Sequence, residues 1–92
     1  MPNTFLFYDN NLRRYEYYRP WDSGQGFMHG GHPNIDSLIQ EMIDAQDLWK
    51  KPFDPIADVP KIDFGYRDTS SIKAMEEKDV RKVREALQGK LK

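Results

Sequence analysis

Thr4-Phe5-Leu6-Phe7-Tyr8-Asp9-Asn10-Asn11-Leu12-Arg13-Arg14-Tyr15-Glu16-Tyr17-Tyr18 is the stretch on which the fold turns. Residues 4–8 are β-branched, aliphatic or aromatic, the composition of a strand. Asp9-Asn10-Asn11 then supplies turn chemistry, because Asn tolerates the positive φ angles of tight hairpins. Leu12 to Tyr18 returns as a second strand, so a β-hairpin is expected. With Asn10 and Asn11 as a two-residue turn, Leu6 pairs with Tyr15 and Tyr8 with Arg13. One face then carries Leu6, Tyr8, Tyr15 and Tyr17, and the other Phe5, Phe7, Arg14, Glu16 and Tyr18. A one-residue shift in the turn would change these pairs.

Pro20 ends the second strand, since proline cannot donate to a ladder. Residues 22–33 hold four glycines in twelve positions and are expected to form a flexible loop. Asn34 is a suitable N-cap for a first helix over about 34–50, whose Ile35, Leu38, Ile39, Met42, Ile43 and Trp49 recur at helical spacing as one buried stripe. Pro52, Pro55 and Pro60 impose an extended connection. Ile62, Phe64 and Tyr66 alternate with polar residues or glycine, which makes residues 61–67 a candidate third strand. A second helix is expected over about 71–88, with Ile72, Met75, Val80, Val83 and Leu87 inward, and residues 89–92 as a frayed tail. The expected fold is therefore α+β, with the N-terminal hairpin packed against two helices.

Ninety-two residues make one domain. A chain of this size buries roughly 60–65% of the surface its unfolded form exposes, a thin margin for stability. There is no cysteine, which excludes disulfides, thiolate nucleophiles and thiolate zinc sites, and favours a reducing, cytoplasmic location. No apolar stretch approaches the ~20 residues of a membrane span, and no secretory signal is read at the N-terminus. Net charge is −1 but unevenly spread: residues 1–33 are neutral, 34–68 carry −4 and 69–92 carry +3. Attraction between an acidic middle and a basic tail is the plain expectation.

The motifs exclude more than they identify. His29-Gly-Gly-His32 offers two imidazoles where a stable metal site needs three or four ligands, so no metal is expected. The glycines lack the Gly-Lys-Ser/Thr of a phosphate loop, and the following helix opens with an acid. No hydrolytic triad has a local signature, and the chain is expected to be non-catalytic and without cofactor.

What remains is aromatic. Eight of the twelve aromatic residues lie in the first 27 positions, interleaved with Arg13, Arg14 and Arg19. Tyr, Trp and Arg are enriched at the energetic centres of protein interfaces. Tyr15, Tyr17, Tyr18, Arg19 and Trp21 are thus the candidate contact for a larger protein partner or for a second copy, in a small accessory, adaptor or inhibitory subunit. The alternative is a single-stranded nucleic-acid binder using the same Arg/Tyr/Trp segment to stack bases and meet phosphates. The lack of a basic field counts against it. A third possibility is that the cluster is simply this small domain's core.

Overall fold

The computed structural model describes residues 1–90 of the chain. Five strands form one mixed sheet and two helices cover one of its faces, an α+β fold. Strands β1 (Thr4–Asp9) and β2 (Arg14–Pro20) are the expected hairpin, and β3 (Phe27–His32) extends it beside β2. The outer edge of β1 is shared by two short strands. β4 (Pro55–Ala57) runs parallel to Thr4–Leu6, and β5 (Ile72–Ala74) runs antiparallel to Phe7–Asp9.

The hairpin register is displaced by two residues from the sequence expectation. Leu6 lies opposite Tyr17 and Tyr8 opposite Tyr15. The cause is Asp9, whose Oδ1 accepts the backbone N–H groups of Asn11 at 2.8 Å and Leu12 at 3.0 Å. Arg13 then closes the turn at φ +56°, so the loop spans four residues rather than two asparagines. A two-residue slip keeps side-chain parity, and the two faces carry the residues expected of them.

Helix α1 (Ile35–Trp49) starts where Asn34 caps it, the side chain accepting Asp36 N–H at 2.8 Å, and stops at Lys50 in the left-handed conformation. Leu38, Ile39, Met42, Ile43 and Gln46 are buried, but the stripe ends there and Trp49 is exposed. Asn34→Ala removes the cap and is expected to cost about 1 kcal/mol. Thermal unfolding should register this as a drop of roughly 4–8 °C, and an unchanged midpoint would show that the cap is idle.

Three expectations need correction. The glycine-rich segment 22–33 is not a loop throughout, because Phe27–His32 are a strand laddered to β2. Residues 61–67 are not a strand: the segment is irregular, and Ile62 and Phe64 are half-buried while Tyr66 is exposed. The second helix, α2 (Glu77–Lys90), begins six residues later than 71, because Ile72–Ala74 pair with β1 and a short 3-10 turn, Thr69–Ser71, precedes them. Of the tail 89–92, Gly89 and Lys90 belong to α2, and residues 91–92 lie outside the described residues.

The core lies between the sheet and the helices, joining Leu6, Tyr17 and Met28 to Leu38, Met42, Phe53, Val80, Val83 and Leu87. Lys82 Nζ meets Asp36 Oδ1 at 3.0 Å, so the basic second helix does reach the acidic first one. The sheet's other face is covered by the irregular segment 58–68, with Phe64 edge-on to Phe7 at 5.8 Å. No helix among the described residues is long and apolar enough to cross a membrane.

Candidate interaction surface

Strand alternation divides the five candidate residues between the two faces of the sheet. Tyr15, Tyr17 and Arg19 share the helix-covered face with their partners His32, Gly30 and Met28, whereas Tyr18 points to the opposite face with His29. Tyr17 is only 3% exposed and packs edge-on against Phe53 at 5.5 Å, a core residue rather than a contact. Burial, helped by the Glu41 carboxylate, pushes its phenol above the ordinary value. Tyr15 is half-buried against the core, its ring edge-on to Tyr8 at 4.8 Å. Arg19 is also 3% exposed. The five therefore do not form one surface.

What the fold brings together instead is Trp21 with Trp49. Their rings lie 6.1 Å apart between centroids, and they remain 37% and 51% exposed; Leu48, which precedes Trp49 in sequence, is 73% exposed. Trp21 is held at the end of β2 by its backbone N–H, which donates to Gly26 O across the β2–β3 turn at 2.9 Å. On the opposite face of the same hairpin, Tyr18 lies between Phe5 at 6.4 Å and the exposed Phe27 at 5.1 Å. Phe5, Tyr18 and Pro20 line an open groove of about 470 Å³ with Val59, Pro60 and Ile62. The sequence reading missed Trp49, Leu48 and Phe27 as surface residues. For Trp49 the available signal was its place in the last turn of α1, beyond the end of the buried stripe.

Several other polar side chains are occupied with one another. Glu16 and Asp9 are fully buried on the face that segment 58–68 covers. Arg67 grips both: Nη1 donates to Glu16 Oε1 at 2.9 Å, and Nη2 donates to Glu16 Oε2 and, at 2.6 Å, to Asp9 Oδ2. His29 Nε2 adds a contact to Glu16 Oε1 at 2.9 Å, and Arg14 stands 3.6 Å away. Burial would raise the Glu16 pKa, but the hydrogen bonds from His29 and Arg67 outweigh it and hold the carboxyl below its ordinary value. Asp9 is likewise lowered against burial, by Arg67 and by the turn N–H groups of Leu12 and Asn11. This cluster fastens segment 58–68 to the sheet.

His32 is on the other face, 2.7 Å from Glu41 Oε1. The two histidines thus stand on opposite sides of the sheet and cannot ligate one ion together. Among the described residues, no group of three or more His, Asp or Glu side chains is placed to hold a metal. Compared with known proteins, the chain matches no family model, no curated protein sequence and no solved structure.

Proposed function

We propose that this protein is a non-catalytic interaction module, a small accessory, adaptor or inhibitory subunit. It docks on a larger protein through the end of the molecule where β2 turns into β3 and α1 stops. One observation carries this reading: the contact between two exposed indoles, Trp21 and Trp49. Large apolar side chains gathered on a surface mark an interaction site far better than single ones do. Trp supplies wide, rigid contact area, which is why it concentrates at the energetic centres of interfaces.

The nucleic-acid alternative uses the same end of the chain but lacks its cations. Arg14 stands against Glu16, and Arg19 is buried with Asp22 as its nearest carboxylate. Of the three arginines, only Arg13 is exposed, which is little on which to hold a phosphate backbone.

The test is affinity capture from native lysate, followed by titration of the captured protein. Trp21→Ala with Trp49→Ala is expected to weaken binding at least about tenfold, the loss typical of truncated interface anchors. Both rings are partly buried as well as partly exposed, so the double variant should stay folded while losing about 2–3 kcal/mol. Unchanged capture by the folded double variant would reject this surface. Capture that collapses as salt rises would instead favour nucleic acid.

A further inference from the structure

The two edges of the sheet differ in how they are guarded. At one edge β1 is covered by β4 and β5, each three residues long, where Pro55 lacks an N–H and Lys73 carries a charge. Arg84 Nε and Nη2 also donate to Pro55 O at 3.0 Å and 2.8 Å, so a backbone acceptor of β4 is already taken. Short strands, proline and lysine are devices that keep an edge from pairing with another chain. At the other edge β3 runs for six residues, Phe-Met-His-Gly-Gly-His, without Lys, Arg, Asp, Glu or Pro. It has no ladder partner on its outer side among the described residues.

The ladder decides which groups face outward. Trp21 backbone N–H donates to Gly26 O, and along an antiparallel pair bonded and non-bonded residue pairs alternate. Arg19–Met28, Tyr17–Gly30 and Tyr15–His32 are then the bonded pairs, and Pro20, which has no N–H, falls opposite Phe27 in a non-bonded one. Phe27, His29 and Gly31 therefore turn their N–H and C=O groups away from β2, toward the bare edge. Their side chains do not screen it. Phe27 and His29 are exposed, and Gly31 has no side chain. His29 leans back over its own sheet, with Nε2 2.9 Å from Glu16 Oε1 and its ring 6.4 Å from that of Phe7 on β1.

We propose that two copies of this chain associate through β3, edge to edge and antiparallel, about a two-fold axis at His29. In that register Phe27 faces Gly31 of the second copy and His29 faces its own counterpart. All three outward pairs then exchange both hydrogen bonds, about six in all, whereas a shift by two residues keeps only two such pairs within the strand. The side chains suit the same register. Directly opposed residues project to one face, so the exposed Phe27 of each copy covers the bare Gly31 of the other, an aromatic ring across from an edge glycine. Arg14 stands there too, since a β-carbon on Gly31 would lie 3.2 Å from its Nε, and the ring lands on a partly exposed guanidinium. A second copy fits better than a foreign strand because the complement of Phe27 lies four positions along the same strand. This contact goes beyond the Trp21–Trp49 surface and does not depend on it.

The test is sedimentation equilibrium of the full chain, with amide hydrogen exchange followed by nuclear magnetic resonance at the same concentrations. An interface this small is expected to be weak, with a Kd of about 10–100 μM. The mass should therefore rise from one chain toward two between about 1 μM and about 1 mM. Over that range the amides of Phe27, His29 and Gly31 should come to exchange about fivefold more slowly, while those of Met28, Gly30 and His32, already laddered to β2, change little. Phe27→Lys supplies the missing edge charge and should weaken association at least about tenfold. A mass of one chain at every concentration would overturn the proposal and leave the edge to a strand of another protein. So would a dimer whose three outward amides stay unprotected, or one abolished by Trp21→Ala with Trp49→Ala but not by Phe27→Lys. The exchange pattern of the native chain decides the matter even where Phe27→Lys fails to fold.

Discussion

Arg67→Ala will destabilise the protein by about 3–5 kcal/mol, the loss seen when one member of a buried ionic cluster is removed and its partners stay behind. Glu16 and Asp9 are both fully buried, and among the described residues Arg67 alone donates hydrogen bonds to both. A domain of this size has only about 5–15 kcal/mol of stability, so the variant will be marginal at neutral pH. Its acid response carries the signature. In the native chain both carboxyls are held below their ordinary values of 4.5 and 3.8. Their contribution is fully present above those values and is lost as pH falls through the lower folded ones. Without Arg67 each carboxyl loses a group that lowers it, so both move upward and acid costs the variant less stability than it costs the native chain. Urea unfolding should show a wide stability gap at pH 7 that narrows below about pH 4.5. A gap of constant size would mean that Arg67 acts through packing on Phe64, whose ring centre lies 5.3 Å from its guanidinium carbon, and not through charge.

Gly30→Ala will cost about 2–3 kcal/mol, at the upper end of ordinary overpacking. A β-carbon there would fall 1.7 Å from Glu41 Oε2 and 2.6 Å from Tyr17 Cε1. Glu41 could swing aside, but only by abandoning His32, which it now meets at 2.7 Å. The Tyr17 ring has no such freedom, because it is buried against Phe53. Gly89→Ala is the control: its new methyl would meet open space, and helix propensity should make it neutral or stabilising by up to about 0.5 kcal/mol. If Gly30→Ala unfolds at the native temperature, α1 does not rest on β3 as closely as described.

Gly30 also shows why β3 was hidden from sequence reading. Phe27 to His32 has no strand composition over its second half, where glycine is needed so that helix and sheet can approach. The demand comes from Glu41 and Tyr17, far along the chain or on a neighbouring strand, and local composition does not express it. Helix α1 was legible because its cap and its period lie within its own residues. The hairpin faces were legible for the same reason. The register was not, because it depends on Asp9 folding its side chain back onto the turn. Residues 61–67 alternate like a strand, yet their alternation serves a different geometry: Ile62 and Phe64 lean on the sheet while Arg67 is drawn down by Glu16 and Asp9. The candidate contact was read as a run in sequence, whereas strand parity sends Tyr17 and Tyr18 to opposite faces. Trp49 joins Trp21 only through the fold.

The shared outer edge of β1 bears on how the chain is made. Thr4 pairs with Pro55 and Phe7 with Ala74, so during synthesis β1 emerges from the ribosome well before the residues that seal it. Through that interval the nascent hairpin shows a bare ladder of amide donors and acceptors, the kind of edge that recruits stray strands. Pairings this distant in sequence also make folding slow. Closure of the sheet therefore waits until Pro55–Ala57 and Ile72–Ala74 have been made.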